Sequence, residues 1–253
     1  MKVSIVTPVF NEPRIRQTLD SIQAQQTTHE IETIVVDGES TDETPEILDK
    51  YRHSIDTLIS EPDDGIYDAM NKGIEHATGD IIGILNADDR YDREDVLQQI
   101  ADTFERTGVD LCYGDLIYVD GDDSIVRYWK SGKYDKRRFY LGWMPAHPTV
   151  FVKREVYEEY GKFDLNFSIA ADYELLLRVL LKGDVSAAYI DKVLVRMATG
   201  GESNSSVRNI ITANIEVYNV WRKHDLRGGL LVPVLKPLRK IPQYFRSQGP
   251  QDK

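Results

Sequence analysis

Three aspartates, Asp37, Asp88 and Asp172, stand where an apolar run gives way to a turn or where an apolar helix opens. Asp88 follows Ile81-Ile82-Gly83-Ile84-Leu85 by way of Asn86 and Ala87. A buried strand that ends in a projecting carboxylate suits Mg2+ or Mn2+, which take few protein oxygens and complete their shell with phosphate oxygens and water. Such an ion would hold a diphosphate, with Asn86 and Ala87 approaching the attached ribose. Asp89 is expected to point elsewhere and to cap the following helix. Asp37 closes a second apolar run, where its carboxylate can accept hydrogen bonds from a uracil or similar base edge, and Gly38 lets the chain turn closely. Asp172 opens a strongly apolar segment behind Ala170 and Ala171, which leave room in front of it. A carboxylate so placed can take a proton from an attacking hydroxyl. Glu174 competes for that role. Taken singly, each of these acids reads equally well as a strand-end turn or a plain helix cap.

A second set of groups surrounds these three. Thr7, Pro8, Val9 and Asn11 lie at the end of the first apolar run and share its carboxyl edge. Asp64 precedes a helix on which Asp68 and Lys72 are four apart, a pair that supports a helix whatever its function. Lys72 is also placed to reach toward a nucleotide. His147, in Pro145-Ala146-His147-Pro148, sits in a loop stiffened by two prolines and is a candidate for phosphate or acceptor contact.

These residues need elements to hold them. Up to about residue 120, apolar runs alternate with segments of helical period, the pattern of a parallel sheet with crossover helices. Strands are expected at 3–9, 31–36, 55–59 and 81–85. Helices are expected after the first strand (Ile15, Leu19, Ile22), from Thr41-Asp42 onward, at 65–77 and at 92–106. In open α/β sheets ligands collect at the carboxyl ends of the strands, which is where Thr7, Asp37 and Asp88 fall. From about 109 the rhythm changes to a hairpin at 113–130 turning on Asp120-Gly121-Asp122-Asp123. A basic, aromatic segment (133–143), a strand (149–152), a helix (171–181) and a long last helix (205–224) follow. The expectation is one α/β domain over 1–224: a Rossmann-like, mostly parallel sheet flanked by helices, with a smaller mixed sheet beside it. Its donor half covers about 1–120 and its acceptor half about 121–224.

Composition narrows the partners. With 31 basic and 42 acidic residues the chain carries a formal charge of −11, which argues against a nucleic-acid partner. One cysteine, Cys112, excludes an intramolecular disulfide or a thiolate cluster and reads as a small core residue. The opening MKVSIVTPVF reads as a strand and lacks the pattern of a secretory leader. No run approaches the roughly 20 apolar residues of a membrane span. A cytoplasmic protein is expected. The tail, 225–253, mixes apolar residues with Arg227, Lys236, Arg239, Lys240 and Arg246, and Pro233, Pro237 and Pro242 forbid one long helix. Between 226 and 246 it is either a foot at the inner face of the cell membrane or a strap packed on the body.

Five pieces in order resemble the family 2 glycosyltransferases of GT-A fold: VSIVTPVFN (3–11), VDGESTDET (36–44), GIYDAMNKG (65–73), GILNADD (83–89) and ADYE (171–174). The resemblance spans roughly residues 1 to 200. It implies inverting transfer from a nucleotide-diphosphate sugar, a UDP-sugar by preference, to a hydroxyl of a glycan or lipid-linked acceptor in surface polysaccharide or glycoconjugate assembly. It further implies Asp37 at the base, Asp88 on Mn2+ or Mg2+, and Asp172 as general base. Two positions depart from the family pattern: Asn86 stands where many members carry an aspartate, and Ala171 replaces the acidic neighbour of the catalytic aspartate. Two other readings compete. A non-catalytic nucleotide-sugar-binding subunit would share the fold. A sugar-nucleotide pyrophosphorylase would need a Gly-rich, basic loop after the first strand, where Thr7-Pro8-Val9-Phe10-Asn11-Glu12 stands instead.

Overall fold

A computed structural model describes residues 1–199, 207–227, 229, 231–233 and 235–236. Four strands, β1 (Lys2–Val9), β2 (Glu30–Asp37), β3 (Thr57–Ser60) and β4 (Ile81–Ile84), pair in parallel in the order β3-β2-β1-β4. Their crossovers are α1 (Ile15–Gln23), α2 (Thr44–Lys50) and α3 (Ile66–His76), and α4 (Val96–Thr107) comes later in the chain. β1 is buried nearly throughout because helices cover both its faces. Alternate residues serve different cores. Val6, Ile34, Val36 and Ile84 face Met70 and Ile74 of α3, while Val3 and Ile5 face Ile100 and Phe104 of α4. Gly73 lets α3 lie directly on β1, since a Cβ there would stand 2.2 Å from Val6 Cγ1.

Beyond β4 the same sheet continues as mixed strands. β8 (Phe151–Lys153) pairs antiparallel with β4 and with β6 (Leu111–Val119). β9 (Ala187–Ala198) runs parallel to β6, and β5 (Asp89–Tyr91) closes the far edge antiparallel to β9. β7 (Ile125–Trp129) forms the expected hairpin with β6. The mixed strands therefore extend the central sheet and do not form a second one. Among the described residues the later helices are α5 (Lys136–Phe139), α6 (Arg154–Tyr160), α7 (Ala171–Leu177) and α8 (Val207–Lys223).

Two local expectations need correction, and one of the two readings of the tail gains support. The helix expected from 92 begins only at Val96, because residues 89–91 pair with β9. Asp89 is thus a buried strand residue and caps no helix. The helix expected over 171–181 changes to a π-helix at Arg178–Lys182, where the Arg178 side chain turns back to bond the Lys162 carbonyl. In the tail, Val232 is buried in the core and the Lys236 ammonium stands 4.2 Å from the Tyr173 ring centroid, so this stretch packs on the body. Residues 237–246, and Gly200-Gly201-Glu202-Ser203-Asn204, lie outside the described residues. Among the described residues no helix is long and apolar enough to cross a membrane. Cys112 is fully buried, and desolvation pushes its thiol well up, as a core residue requires.

Candidate active site

The parallel register sets the carboxyl edge of the strands. Val9 pairs with Asp37 and Asp37 with Ser60, so the carboxyl ends of β1, β2 and β3 finish level. Buried Asp37 is oriented there: Oδ1 accepts the Ser40 N–H (3.1 Å) and Oδ2 the Ser60 hydroxyl (2.8 Å). Asn11, at φ 46°, bridges two loops by accepting the Thr41 N–H (2.8 Å) and the Asp42 N–H (3.3 Å). Thr7, Pro8 and Val9 are buried and form the floor beneath this edge. Gly38 is a close approach, since a Cβ there would stand 2.4 Å from Asp63 Oδ2 and 3.4 Å from the Phe10 ring. Phe10 itself is 60% exposed. An exposed aromatic beside an oriented carboxylate is a platform on which a planar base can stack. Spacing alone did not single out Phe10, which reads as one more apolar residue after a strand.

The acidic corner lies one strand over. Asp88 is half-buried and stands 3.6 Å from Arg14, whose guanidinium also pairs with Glu12 at 2.5 Å. Burial pushes the Asp88 carboxyl up, Arg14 opposes the rise, and Glu12 adds to it. Asp89 is fully enclosed, takes a hydrogen bond from Asn86 Nδ2 (3.1 Å), and is pushed well up by burial and by the charge of Asp88. Ala87 packs with Val9 and Ile15 in the core, so only its backbone can meet a ligand. Three buried oxygens here, Thr7 Oγ1, Asn86 Oδ1 and Asp89 Oδ1, have no hydrogen-bond partner. An excess of hard oxygen atoms with one nearby arginine fits a divalent cation. Among the described residues a ready-made cluster of three ligand atoms lies elsewhere, at His29, Asp102 and Glu105 beside the opposite end of β2. The corner offers only part of a coordination shell and would leave the remainder to a ligand.

The Lys72 side chain is engaged by its own loop, whereas Asp64 is held there through its backbone. The Lys72 ammonium donates to the Pro62 carbonyl (2.6 Å) and pairs with Glu61 (3.0 Å) and Asp68 (3.4 Å). The Asp64 N–H donates to Asp68 Oδ2 at 3.2 Å, which ties the loop to the first turn of α3.

The second cluster surrounds Asp172, whose Oδ1 accepts the Tyr173 N–H at 2.7 Å. Beside it are the Tyr67 phenol, pushed well up by burial and then by the charge of Asp172, and His147. Burial holds the His147 imidazole below its ordinary value, against the pull of Asp172, so the ring is neutral at pH 7. Its Nε2 is buried without a partner, and its edge meets Phe163 at 6.0 Å between centroids. His147 shares an apolar cavity with Ile84, Val150, Phe163 and Leu175, and Ile84 ends the strand that leads to Asn86. Glu174 takes a different direction. It is fully buried and bonded to Arg178 (2.9 Å), Lys223 (3.1 Å) and His224 (2.8 Å), and the bonds from His224 and Arg178 overcome burial and hold its carboxyl down at about 2. With its oxygens so engaged, Glu174 joins α7 to α8 and leaves Asp172 as the acid facing the cluster.

The glycosyl transferase family 2 model matches residues 4–161. An uncharacterized glycosyltransferase of Mycobacterium tuberculosis is 35% identical over 185 residues, which is 71% of this chain and 69% of that one. A PGL/p-HBAD biosynthesis glycosyltransferase of Mycobacterium bovis is 31% identical over 210 residues, 81% of this chain and 80% of the relative. In three dimensions the fold is similar to S. aureus TarS 1-349 in complex with UDP-GlcNAc, with TM-score 0.65 and 20% identity over 87% of this chain and 67% of that one. It is equally similar to the mannosyltransferase PcManGT from Pyrobaculum calidifontis in complex with GDP-Man and Mn2+, with TM-score 0.65 and 19% identity over 97% and 73%. With its family model, its relatives and its GT-A architecture in agreement, the chain belongs to the family 2 glycosyltransferases.

Proposed function

We propose that this glycosyltransferase moves a sugar, with inversion, from a nucleotide-diphosphate donor to a hydroxyl of a glycan or lipid-linked acceptor in surface polysaccharide or glycoconjugate assembly. A UDP-sugar is the favoured donor. The observation that carries the reading is the pairing of two clusters in one fold: Asp37 and Asp88 at the carboxyl edge of the parallel strands, and Asp172 beside neutral His147 and Tyr67. Complexes of the two structural neighbours with UDP-GlcNAc and with GDP-Man and Mn2+ support a nucleotide-sugar donor, and the mycobacterial relative supports a glycoconjugate product.

Each residue then has a task. Asp37 accepts hydrogen bonds from the base while Phe10 stacks on it. Asp88, with the unpartnered oxygens of Asn86 and Asp89 behind it, would hold Mn2+ or Mg2+, and when bound the ion supplies positive charge against the diphosphate. Arg14 adds a fixed positive charge on the same side, which favours the charge that grows as the sugar–phosphate bond breaks. Asp172 takes the proton from the acceptor hydroxyl as its oxygen attacks the anomeric carbon from the face opposite the leaving group. The new glycosidic bond forms, the nucleoside diphosphate leaves with the bonding pair, and the configuration inverts. His147, uncharged and held by Phe163, offers Nε2 to the acceptor side. The site faces the cytoplasm, at the inner membrane face where a lipid-linked acceptor would lie.

The test is a panel of UDP- and GDP-sugars with Mn2+, read first as thermal shift and then as nucleotide release. Asp172→Asn is expected to keep the donor-induced shift and to lose turnover by about 10²–10⁴-fold, the span a positioned base contributes. A wild-type protein that binds a donor and never releases nucleotide would instead be a sensor or binding subunit. Full turnover in Asp172→Asn would take the base role away from that residue.

A further inference from the structure

The segment leading into Asp172 is held from two sides, by Glu216, which belongs to neither cluster, and by Tyr67. On one side Glu216, a buried acid of α8, accepts four hydrogen bonds. They come from the Ser168 N–H (3.0 Å), the Ser168 hydroxyl (2.8 Å), the Ile169 N–H (2.9 Å) and the Ala170 N–H (2.8 Å). Three consecutive amides that converge on one carboxylate fix three peptide planes together, and bonds to an ionised acceptor are about twice as strong as neutral ones. On the other side Tyr67, in the first turn of α3, donates its hydroxyl to the Ile169 carbonyl at 2.8 Å. Its ring stacks on Phe163 at 5.4 Å, and Asn71 grips the Phe163 backbone through both its N–H and its carbonyl, each at 2.9 Å. Asp172 begins two residues after the last of the bonded amides.

Packing alone does not call for an acid at this position. The neighbouring inward positions of α8 are Val217, Val220 and Trp221, all buried in the main core. A charge among them carries a desolvation cost that only well-placed donors offset. Those donors all lie in residues 168–170. The donor-edge groups Asp37, Arg14 and Asp88 make their bonds with other partners.

We propose that Glu216 is a positioning residue for sugar transfer. It fixes 168–170 so that the Asp172 carboxylate stands at the acceptor hydroxyl, and it thereby makes the seating of α8 a condition of catalysis. The inference rests on the reading of Asp172 as the base. It separates two properties that a simple stabilising role would move together: turnover depends on Glu216, and nucleotide binding does not.

The experiment uses the full chain with Glu216→Gln, which keeps the shape and removes the charge, and with Tyr67→Phe, which keeps the ring and removes the bond to Ile169. UDP and GDP binding with Mn2+ is measured by calorimetry. Turnover is measured as nucleotide release from UDP-glucose, UDP-GlcNAc and GDP-mannose, and amide hydrogen exchange is followed over 168–170. In Glu216→Gln, kcat is expected to fall about 10²-fold, the cost of displacing a catalytic group by roughly an ångström. Donor KM and nucleotide affinity are expected to stay unchanged, and protection is expected to drop at 168–170 while it persists in β1 and β2. Tyr67→Phe is expected to act in the same direction, with the pair of changes less than additive because both hold one segment. Should Glu216→Gln fail to fold, Tyr67→Phe carries the same expectation by itself. Wild-type kcat with protection lost overturns the proposal. So does a fall of kcat and nucleotide affinity in step in both variants. Asp172→Asn runs alongside: turnover retained there sinks the base reading together with this one, whereas a dead Asp172→Asn beside a fully active Glu216→Gln sinks the positioning role alone.

Discussion

At the scale of single residues, the acids that end strands were legible and their partners were not. Asp37 and Asp88 stand out in a linear sequence because a buried run that stops at a carboxylate is readable locally. Arg14, Phe10 and Glu216 take their meaning from residues far away in the chain, and no spacing connects Arg14 to Asp88 or Glu216 to Ala170. The reverse holds for Lys72 and Glu174, which look available in sequence and are committed to Pro62 and Glu61, or to Arg178, Lys223 and His224, once the chain folds. Asp88 supports a direct prediction. A nucleotide at 100 times its dissociation constant stabilises the native protein by about 2.7 kcal/mol. In Asp88→Asn the part of the UDP-induced thermal shift that requires Mn2+ should vanish, while any metal-independent part remains. An unchanged Mn2+ requirement would move the cation elsewhere.

At the scale of elements, the parallel half followed from periodicity because β1, β2 and β4 are buried along most of their length and the helices show one apolar stripe. Beyond residue 120 the pattern weakens. β9 has only partial burial along much of its length, and its partner β5, earlier in the chain, is three residues long, too short for any period to register. Two substitutions test how these elements are joined. Gly73→Ala would place a methyl 2.2 Å from Val6 Cγ1, so α3 must lift off β1; overpacking of this kind costs about 1–3 kcal/mol, readable as a lower denaturation midpoint. Glu174→Ala leaves Arg178, Lys223 and His224 around a vacated buried site, and breaking one partner of such a group costs about 3–5 kcal/mol. A loss below about 1 kcal/mol would show that α7 and α8 are joined by Val217, Val220 and Trp221 alone.

At the scale of the whole molecule, two buried acids set the acid limit of stability. Glu32, despite its burial, is bonded by Ser4, Thr78 and Lys2, and Glu174 by His224, Arg178 and Lys223; both carboxyls are held at about 2 against an ordinary 4.5. A folded-state value below the unfolded one means that stabilisation is complete above about pH 4.5 and is lost as pH falls toward 2. Denaturation midpoints measured stepwise across that window should decline, and Glu174→Gln should flatten the decline. Another whole-molecule consequence lies in β5. The three residues after Asp88 pair with Met197, Arg196 and Val195, and the Asp92 N–H bonds the Leu194 carbonyl at 3.0 Å, so the acidic corner is closed by a strand about a hundred residues downstream. During synthesis the parallel strands can pair as they emerge, but the corner stays open until residue 198 has left the ribosome. Pairings this distant in sequence form late. On the proposed function, a nascent or truncated chain would lack the finished acidic corner and would not consume a donor before residues 195–197 are in place.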